Sequence, residues 1–420
     1  MIDRTSRKPL RVAIDAPMTS GGQWGGIEQF TMSLVHALGK LEDGNEEYLI
    51  LVHQQNPNWL DSYLGRNQRV LINPATRLDR IKAWLGPLRK PLGRLFRQTK
   101  RTFTGDVPTS NGFYESLGVD VVHFPHHAFV RCNLPTIYSP HDLQHVHYPQ
   151  FFLSEDLTIR DAVMRSGCHE SFAVAVDARW TKDDIVRQYK LAPEKIWVIR
   201  LGAPTALYFP FTDQQSAQVA HRFQLPSAFA FYPAQTWEHK NHIRLLEAIA
   251  LLREREGLVV NLVCTGKQNQ FWPRIQARLA GLGLENQVRF LGFVSSGELR
   301  ALYHLAQFVI HPSLFEGGGL PVLEAFREGV ALACSSTTSL SEYAGDAALL
   351  FDPQSIESIA YALKRMSQDA DLRAELIRRG TVRVRQFSWE QTARAYRALY
   401  RRAAGHILSD EEEGLLQNCT

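Results

Sequence analysis

Two carboxylates bracket a glycine-rich turn in the C-terminal half of this 420-residue chain. Glu316 lies directly before the glycines at 317–319, and Glu324 lies eight positions after Glu316. The apolar run at 306–310 predicts a buried strand before the turn, and Pro321 is typical of the first turn of a helix after it. Backbone N–H groups at a helix start have no partner within the helix, so they can bind a phosphate oxygen.

This turn has the chemistry that a nucleotide-sugar ligand needs. The diphosphate would accept hydrogen bonds from the backbone N–H groups, and the two carboxylates would accept hydrogen bonds from hydroxyl groups. An alternative stays open, because a glycine loop can simply close a strand–helix unit and leave both glutamates in solvent.

A lysine lies in a similar turn earlier in the same half of the chain. The run at 229–232 predicts a strand, a helix pattern covers 243–252, and Lys240 lies between them. An ammonium group at this point can neutralise a diphosphate as a point charge. A solvated loop lysine is the alternative, which the strand-to-helix position makes less favoured.

The N-terminal half begins with a strand pattern at 10–14 and a second glycine loop, which ends in Gly25 and Gly26. A helix pattern follows from 27 to 41, so this loop also precedes a helix start that suits an anion. The loop lacks the G-x-G-x-x-G spacing, and NAD binding is therefore not favoured.

Histidines follow two predicted strands of the N-terminal half. The strand pattern at 120–124 leads to His126, and the pattern at 135–138 leads to His141 and Asp142. Ligands of open α/β sheets bind at the carboxyl ends of strands, so these side chains belong in a cleft. A neutral imidazole there could hydrogen-bond a sugar hydroxyl or polarise a reacting centre, or it could only pack within the domain.

Zinc binding is the alternative use of these histidines. The candidate ligand sets are His123 with His126, and His141 with His145 and His147. No cysteine pair and no H-E-x-x-H pattern accompanies them, so the sequence predicts no metal site.

The composition excludes several classes of protein. With 45% apolar and 21% charged residues the chain is typical of soluble globular proteins, and a net charge of +4 is too small to indicate a nucleic-acid partner. The five scattered cysteines form no C-x-x-C pair and suit a reducing compartment. No apolar run approaches the length of about eighteen residues that a membrane span needs, and no signal peptide is recognised. A cytoplasmic location is therefore expected.

Residues 77–101 form a basic segment within an insertion that we place at 77–112. The segment carries nine Lys or Arg residues and one acid, Asp79, with large apolar residues at near-helical spacing. Two interpretations stay open: an amphipathic surface that lies on an anionic membrane, or a helix packed on the domain with a solvated basic face. Pro87 and Pro91 would interrupt any continuous helix.

Strand and helix patterns alternate twice along the chain, which predicts an α/β protein with two doubly wound domains. The first domain is predicted at 1–208 and the second at 209–388. A basic, aromatic helix at 389–408 is expected to pack back toward the first domain. The polar tail at 409–420 is expected to be frayed.

The combination of these motifs resembles the retaining family 4 glycosyltransferases (glycosyl transferases group 1), over nearly the whole chain. The residues that carry the resemblance are Gly25-Gly26, Asp120 to His123, His141-Asp142-Leu143, His239-Lys240-Asn241, Glu316 to Glu324 and Gly345 to Pro353. The resemblance implies the GT-B fold, in which two Rossmann-like domains face a cleft.

The resemblance also implies roles for individual residues. It assigns Glu316, His126, His141 and Asp142 to catalysis, and Gly25, Gly26, Gln235, Lys240, Gly317, Gly318, Gly319, Leu320 and Glu324 to donor binding. Glu316 would lie near the reacting sugar and Glu324 would bind the ribose, whereas Lys240 and the glycine turn would hold the diphosphate. His126 and His141 both fit the family's active-site histidine, and that choice stays open. Many members carry an arginine at the position of Gln235, so phosphate binding here would depend more on Lys240.

The implied activity is transfer of a hexose with retention, from a donor of the GDP-mannose or UDP-hexose type, to a glycan or lipid-linked acceptor of cell-surface polysaccharide synthesis. No metal or cofactor is implied. Two alternatives stay open: a GT-B epimerase or sugar phosphorylase, and a catalytically silent protein that binds a membrane or partner through the basic segment.

Overall fold

The computed structural model describes residues 9–18, 25–73, 107–204 and 212–420. The basic segment at 77–101 lies outside the described residues, so both interpretations of it stay predictions. The described residues form two parallel sheets interleaved with helices, which confirms the predicted pair of Rossmann-like α/β domains.

A seven-stranded parallel sheet forms the centre of the N-terminal domain. Its strands are β1 (Arg11–Ala16), β2 (Glu47–His53), β3 (Gln68–Asn73), β4 (Val121–Phe124), β5 (Thr136–Tyr138), β6 (Ala173–Val176) and β7 (Ile196–Val198). Their order is β3-β2-β1-β4-β5-β6-β7, so the chain starts near the middle and winds outward in both directions. Strands β4 and β6 are buried at every position, as expected of parallel strands covered on both faces.

A six-stranded parallel sheet forms the centre of the C-terminal domain. Its strands are β8 (Ala230–Pro233), β9 (Leu262–Thr265), β10 (Val288–Phe290), β11 (Phe308–His311), β12 (Leu332–Ser335) and β13 (Leu349–Phe351). Their order is β10-β9-β8-β11-β12-β13. This sheet repeats the winding of the first, with the reversal between β8 and β11.

Fifteen α-helices are described between and after these strands. They are α1 (Gly26–Gly39), α2 (Phe113–Ser116), α3 (Gln144–His147), α4 (Ser154–Glu170), α5 (Arg179–Tyr189), α6 (Asp213–Arg222), α7 (His242–Glu256), α8 (Trp272–Gly281), α9 (Ser296–Leu305), α10 (Leu320–Arg327), α11 (Thr338–Ala344), α12 (Ile356–Gln368), α13 (Ala370–Arg383), α14 (Trp389–Ala403) and α15 (Asp410–Gln417). Within the described part of the chain, no helix has both the length and the hydropathy to cross a membrane.

The strand orders explain where the polar residues meet. In an open parallel sheet, ligands bind outside the carboxyl ends of the strands where the order reverses. The reversal in the first sheet lies between β1 and β4, and β1 precedes Gly25 whereas β4 precedes His126. The reversal in the second sheet lies between β8 and β11, which precede Lys240 and Glu316.

Helix α14 follows the C-terminal domain in sequence and packs on the N-terminal one. Its Tyr400 hydroxyl lies 2.7 Å from Nδ1 of His123, and its Thr392 hydroxyl donates to the Arg200 carbonyl oxygen at 2.7 Å. Arg394 and Arg397 both pair with Asp43, which follows α1. The helix therefore leads the chain from the C-terminal domain back to the N-terminal one and is held there by side-chain contacts.

The expectation of a frayed tail at 409–420 is wrong. Residues 410–417 form α15, which begins with a capping box between Ser409 and Glu412. The Glu412 carboxylate also pairs with Arg401 of α14. The segment ends against the N-terminal sheet, where the Val198 N–H donates to the Cys419 carbonyl oxygen at 2.5 Å. Two of the four acids of this segment, Glu412 and Glu413, pair with Arg401 and Arg402 of α14. The segment is therefore held against α14, although Asp410 and Glu411 are exposed.

Candidate active site

A cleft of about 1110 Å³ is lined by residues of both domains. Of the residues predicted for catalysis and donor binding, it brings together Gly25, Gly26, His141, Asp142, Gln235, Lys240, Glu316, Gly317, Gly318, Leu320 and Glu324. The remaining two lie behind its walls. His126 is 1% exposed and Gly319 packs on the ring of Tyr343.

Glu316 is the centre of a charged cluster on the C-terminal wall. Its Oε1 atom lies 2.5 Å from Nζ of Lys240 and 3.1 Å from Nε2 of His311. Burial alone would raise the pKa of the Glu316 carboxyl, but the Lys240 ammonium and the His311 ring hold it well below its usual range. Glu316 is therefore a carboxylate at neutral pH, which accepts hydrogen bonds and cannot act as an acid.

The backbone around Lys240 is fixed by its neighbours. The Tyr232 hydroxyl donates to the Lys240 carbonyl oxygen at 2.6 Å. Asn241 has a left-handed backbone with φ of 62°, and its amide donates to the carbonyl oxygens of Pro312 at 3.0 Å and Pro353 at 2.8 Å. Asparagine tolerates this conformation better than most residues. The turn after β8 is thus tied to the loop after β11, which brings Lys240 to Glu316.

Two histidines beside this cluster are neutral. Burial and the nearby Lys240 ammonium lower the pKa of His239 to about 3. Burial also lowers the pKa of His311, although the hydrogen bond to Glu316 acts in the opposite direction. The positive charge of the cluster is therefore concentrated on Lys240.

Small residues allow the glycine turn to sit between the two domains. A methyl group added at Gly317 would lie 2.3 Å from the His141 carbonyl oxygen, and one added at Gly319 would lie 2.0 Å from the Tyr343 ring. The Ser339 hydroxyl donates to the carbonyl oxygens of Glu316 at 2.8 Å and Gly318 at 3.1 Å. Larger side chains would push the turn away from these partners. Close packing therefore requires glycine at positions 317 and 319.

Glu324 lies in the first helical turns after the glycines, farther along the same wall. The Tyr303 hydroxyl donates to its Oε2 atom at 2.7 Å, which fixes the orientation of the carboxylate. Glu316 and Glu324 thus have different partners: Glu316 contacts Lys240 and His311, and Glu324 contacts Tyr303.

His141 forms the opposite wall. It has a left-handed backbone with φ of 63°, and its ring packs edge-on against Phe30 at 4.8 Å. Nδ1 lies 3.1 Å from Oδ2 of Asp177, and Nε2 lies 3.0 Å from the Pro125 carbonyl oxygen. The neighbouring Asp142 lines the cleft and accepts a hydrogen bond from the Gln144 N–H at 2.9 Å.

His126 has a different environment. Its Nε2 atom lies 3.2 Å from Oδ2 of Asp15, and its Nδ1 atom accepts from the Ala128 N–H at 3.2 Å. Both ring nitrogens are thus engaged within the domain. Both ring nitrogens of His141 are engaged as well, but His141 lines the cleft and His126 does not, so position favours His141 as the histidine beside a ligand.

The histidines considered as zinc ligands have other partners. His123 bonds Tyr400 and Ser139, His145 bonds Tyr189 and Asp161, and His147 bonds Asp184. Among the described residues, no group of three or more His, Cys, Asp or Glu side chains could hold a metal ion.

Gln235 and Gly25 face each other across the cleft. A methyl group at Gly25 would lie 3.3 Å from Nε2 of Gln235, and Gly25 has a φ of 56°, which glycine adopts without strain. Oε1 of Gln235 accepts from the Trp237 indole at 2.9 Å. The amide of Gln235 therefore presents its NH₂ group toward the glycine loop of the other domain.

Several cleft and interface residues were missed by sequence reasoning. Asp177 follows β6 directly, so its place at the carboxyl end of a strand could have indicated it. Tyr343 donates to the Asp177 carbonyl oxygen at 2.7 Å, and Glu342 accepts from the backbone N–H groups of Arg179 at 3.2 Å and Trp180 at 3.1 Å. No short sequence pattern marks these contacts between domains. Arg160, Lys267 and Arg274 also line the cleft.

Two family profiles together match most of the chain. Residues 24–207 match "Glycosyltransferase Family 4", and residues 213–383 match "Glycosyl transferases group 1". The boundary between the matches falls between the two sheets.

Individual relatives agree with the profiles. The chain is 30% identical over 284 residues to the "O-antigen chain mannosyltransferase B" of Escherichia coli, an alignment that covers 63% of this chain and 73% of the relative. It is also 30% identical over 227 residues to the "Serotype-specific mannosyltransferase WbdA" of Escherichia coli, covering 53% of this chain but only 27% of that longer protein.

Similarity to solved structures supports the same fold. The structure of Anabaena HepE in complex with UDP and glucose aligns with a TM-score of 0.69 at 14% identity, covering 94% of this chain and all (100%) of the other. The two sheets, the interdomain cleft and these matches together show that the chain belongs to the family 4 (group 1) glycosyltransferases and has their GT-B fold.

Proposed function

We propose that the chain is a retaining hexosyltransferase that moves a hexose from a nucleotide-diphosphate donor to a glycan acceptor. The observation that carries this proposal is the contact of 2.5 Å between Lys240 and Glu316 at the start of helix α10, with His141 on the facing wall. One cation, one carboxylate and a helix N-terminus thus meet in a single cleft. These groups suit a diphosphate and a sugar bound side by side.

The charges of Lys240 and Glu316 suit them to different parts of the reaction. Lys240 and the N–H groups at the start of α10 would stabilise the negative charge that develops on the leaving diphosphate. The ionised Glu316 would accept hydrogen bonds from the sugar and stabilise positive charge at its anomeric carbon. This division of roles requires neither a metal ion nor a cofactor.

The relatives suggest the class of sugar and acceptor. Both Escherichia coli relatives are named mannosyltransferases, and one name refers to the O-antigen chain. We therefore propose a mannosyl donor such as GDP-mannose as the first candidate, with UDP-hexoses next. The proposed acceptor is a growing cell-surface polysaccharide, free or lipid-linked.

Ligand-induced stabilisation tests the donor. A ligand that binds only the folded state raises the melting temperature, so GDP- and UDP-sugars are compared at matched concentrations. The donor that raises it most is then supplied in labelled form with oligomannose acceptors, and NMR of the product reports the anomeric configuration. Failure of every nucleotide-sugar to bind, or transfer at an undiminished rate by Glu316→Ala, would contradict the proposal.

A further inference from the structure

Asp177 is a buried carboxylate that the roles assigned above leave unused. It lies at the carboxyl end of β6, is 3% exposed and lines the cleft. A methyl group added at Gly318 would lie 3.2 Å from its Oδ2 atom, so the carboxylate adjoins the glycine turn that carries Glu316. Asp177 therefore lies at the point where both walls of the cleft meet.

One oxygen of Asp177 fixes the state of His141. Nδ1 of His141 faces Oδ2 of Asp177 at 3.1 Å, and Nε2 faces the Pro125 carbonyl oxygen at 3.0 Å. A carboxylate and a carbonyl oxygen can only accept hydrogen bonds. Both ring nitrogens must therefore donate, and His141 is held as an imidazolium whose N–H groups are both occupied.

The other oxygen of Asp177 lacks a partner. Oδ1 is shielded from solvent and accepts no hydrogen bond from any residue that the structure describes. A buried charged acceptor without a donor is unfavourable, and native proteins usually satisfy such groups. Because Asp177 lines the cleft, a bound ligand can supply the missing donor.

We propose that Asp177 is a specificity-determining residue, which positions His141 through Oδ2 and accepts one hydroxyl group of the transferred hexose through Oδ1. The inference rests on the proposed hexosyl transfer and adds a contact to that same site. A hydroxyl group fits because it can donate to a carboxylate, whereas an ionised phosphate cannot. The transferred sugar fits because Asp177 adjoins the turn of Glu316, the residue proposed to face its anomeric carbon.

The proposal also predicts how transfer depends on pH. Burial opposes the charged form of His141, but the Asp177 carboxylate outweighs it and raises the pKa of the ring. Other ionisable groups whose charges couple to this ring include Asp142, His123 and His127. His126 directly follows Pro125, whose carbonyl oxygen the ring contacts. The rate of transfer should therefore decrease at high pH, as His141 loses its proton. Asp177→Asn should move this decrease to lower pH, because it removes the charge that raises the pKa of His141.

The test compares donors that each lack one hydroxyl group, with the natural chain and with Asp177→Ala. A hydrogen bond to a charged group is worth about 1.5–3 kcal/mol, so one deoxy donor should lower kcat/KM by about 10- to 100-fold with the natural chain. The same deoxy donor should show little penalty with Asp177→Ala. The intrinsic chemical effect of removing a hydroxyl is common to both proteins and cancels in this comparison.

Controls separate the outcomes. Asp183→Ala removes an exposed carboxylate from the adjoining helix α5 and should leave every deoxy penalty unchanged. If Asp177→Ala does not fold, Asp177→Asn keeps the side-chain volume. In that variant the loss of kcat/KM with the one deoxy donor should be smaller, and the fall of transfer at high pH should move to lower pH. Deoxy penalties that are equal in all variants, with normal hexosyl transfer, would overturn the role of Asp177 alone. Absence of transfer from every nucleotide-sugar would instead overturn the proposed function.

Discussion

The pair of Lys240 and Glu316 offers a sharp test of the site's electrostatics. The two side chains are 17% and 13% exposed and their charged atoms lie 2.5 Å apart, so each charge depends on the other for solvation. Removing one partner of a buried ion pair leaves the other charge uncompensated, whereas removing both does not. We therefore expect Lys240→Met to destabilise the chain more than Lys240→Met combined with Glu316→Gln.

The contacts set the magnitude of this effect. Breaking a buried pair costs about 3–5 kcal/mol. His311 still reaches Glu316 at 3.1 Å in the single variant, so we expect about 3 kcal/mol for Lys240→Met at pH 7. Glu316→Gln leaves a flexible lysine that can turn toward solvent, for which we expect about 1–2 kcal/mol. The double variant should lose about 2 kcal/mol, which is less than the sum of the single losses.

Lowering the pH should reduce the loss of unfolding free energy caused by Lys240→Met. In the natural chain the pKa of Glu316 is lowered, so its contribution to stability is present above its unfolded pKa of about 4.3 and is lost as pH falls. Without Lys240, burial dominates and raises that pKa, so the folded state favours the protonated form. The penalty of Lys240→Met should then shrink between pH 7 and pH 5.

Urea unfolding of the four proteins, followed by tryptophan fluorescence at both pH values, measures these free energies. Lys267→Met is a matched control, because Lys267 is an exposed lysine of the same cleft and should change stability by less than about 0.5 kcal/mol. Losses that add within about 0.5 kcal/mol, or a penalty that does not depend on pH, would refute the coupling of Lys240 to Glu316.

Three other changes test separate parts of the molecule. Gly319→Ala places a methyl group 2.0 Å from the Tyr343 ring and should cost about 1–3 kcal/mol by urea unfolding; an unchanged midpoint would contradict this packing. Deletion of 409–420 removes the bond from the Val198 N–H and the acids that pair with α14, and should lower the free energy of unfolding by about 1–3 kcal/mol; equal stability would show that the tail is dispensable. Gln235→Arg should tighten nucleotide-diphosphate binding by about tenfold, measured by calorimetry, because it adds a cation on the C-terminal wall of the cleft. An unchanged affinity would mean that the diphosphate binds elsewhere.

The sequence predicted the elements of this fold better than the contacts between them. The apolar run predicted as a strand at 306–310 overlaps the buried strand β11 (Phe308–His311), and polar residues that follow it line the cleft. Lys240 and Glu316 were indicated in this way because each lies in the segment between a strand and the helix that follows it. The local pattern is sufficient here, since parallel strands bring their carboxyl ends to one edge of a sheet.

Contacts between distant segments could not be predicted from local patterns. His141 and Asp177 are in contact although they are separated by 36 positions, and His141 has a left-handed backbone. The acidic tail at 409–420 suggested a solvated segment, because its arginine partners in α14 are visible only once the helices pack. At 409–420, charge complementarity between packed helices therefore overrode the expectation from composition.

The cleft contains two pairs of oppositely charged side chains that contact each other. Lys240 is paired with Glu316, and the imidazolium of His141 is paired with Asp177, so each of these pairs is close to neutral. A diphosphate would add negative charge beside the first pair, and it must share Lys240 with Glu316. The N-terminus of α10 contributes the equivalent of about half a positive charge, and Gln235 contributes none. Donor binding should therefore draw Lys240 partly away from Glu316, which frees that carboxylate for the hydroxyl groups and the developing positive charge of the sugar.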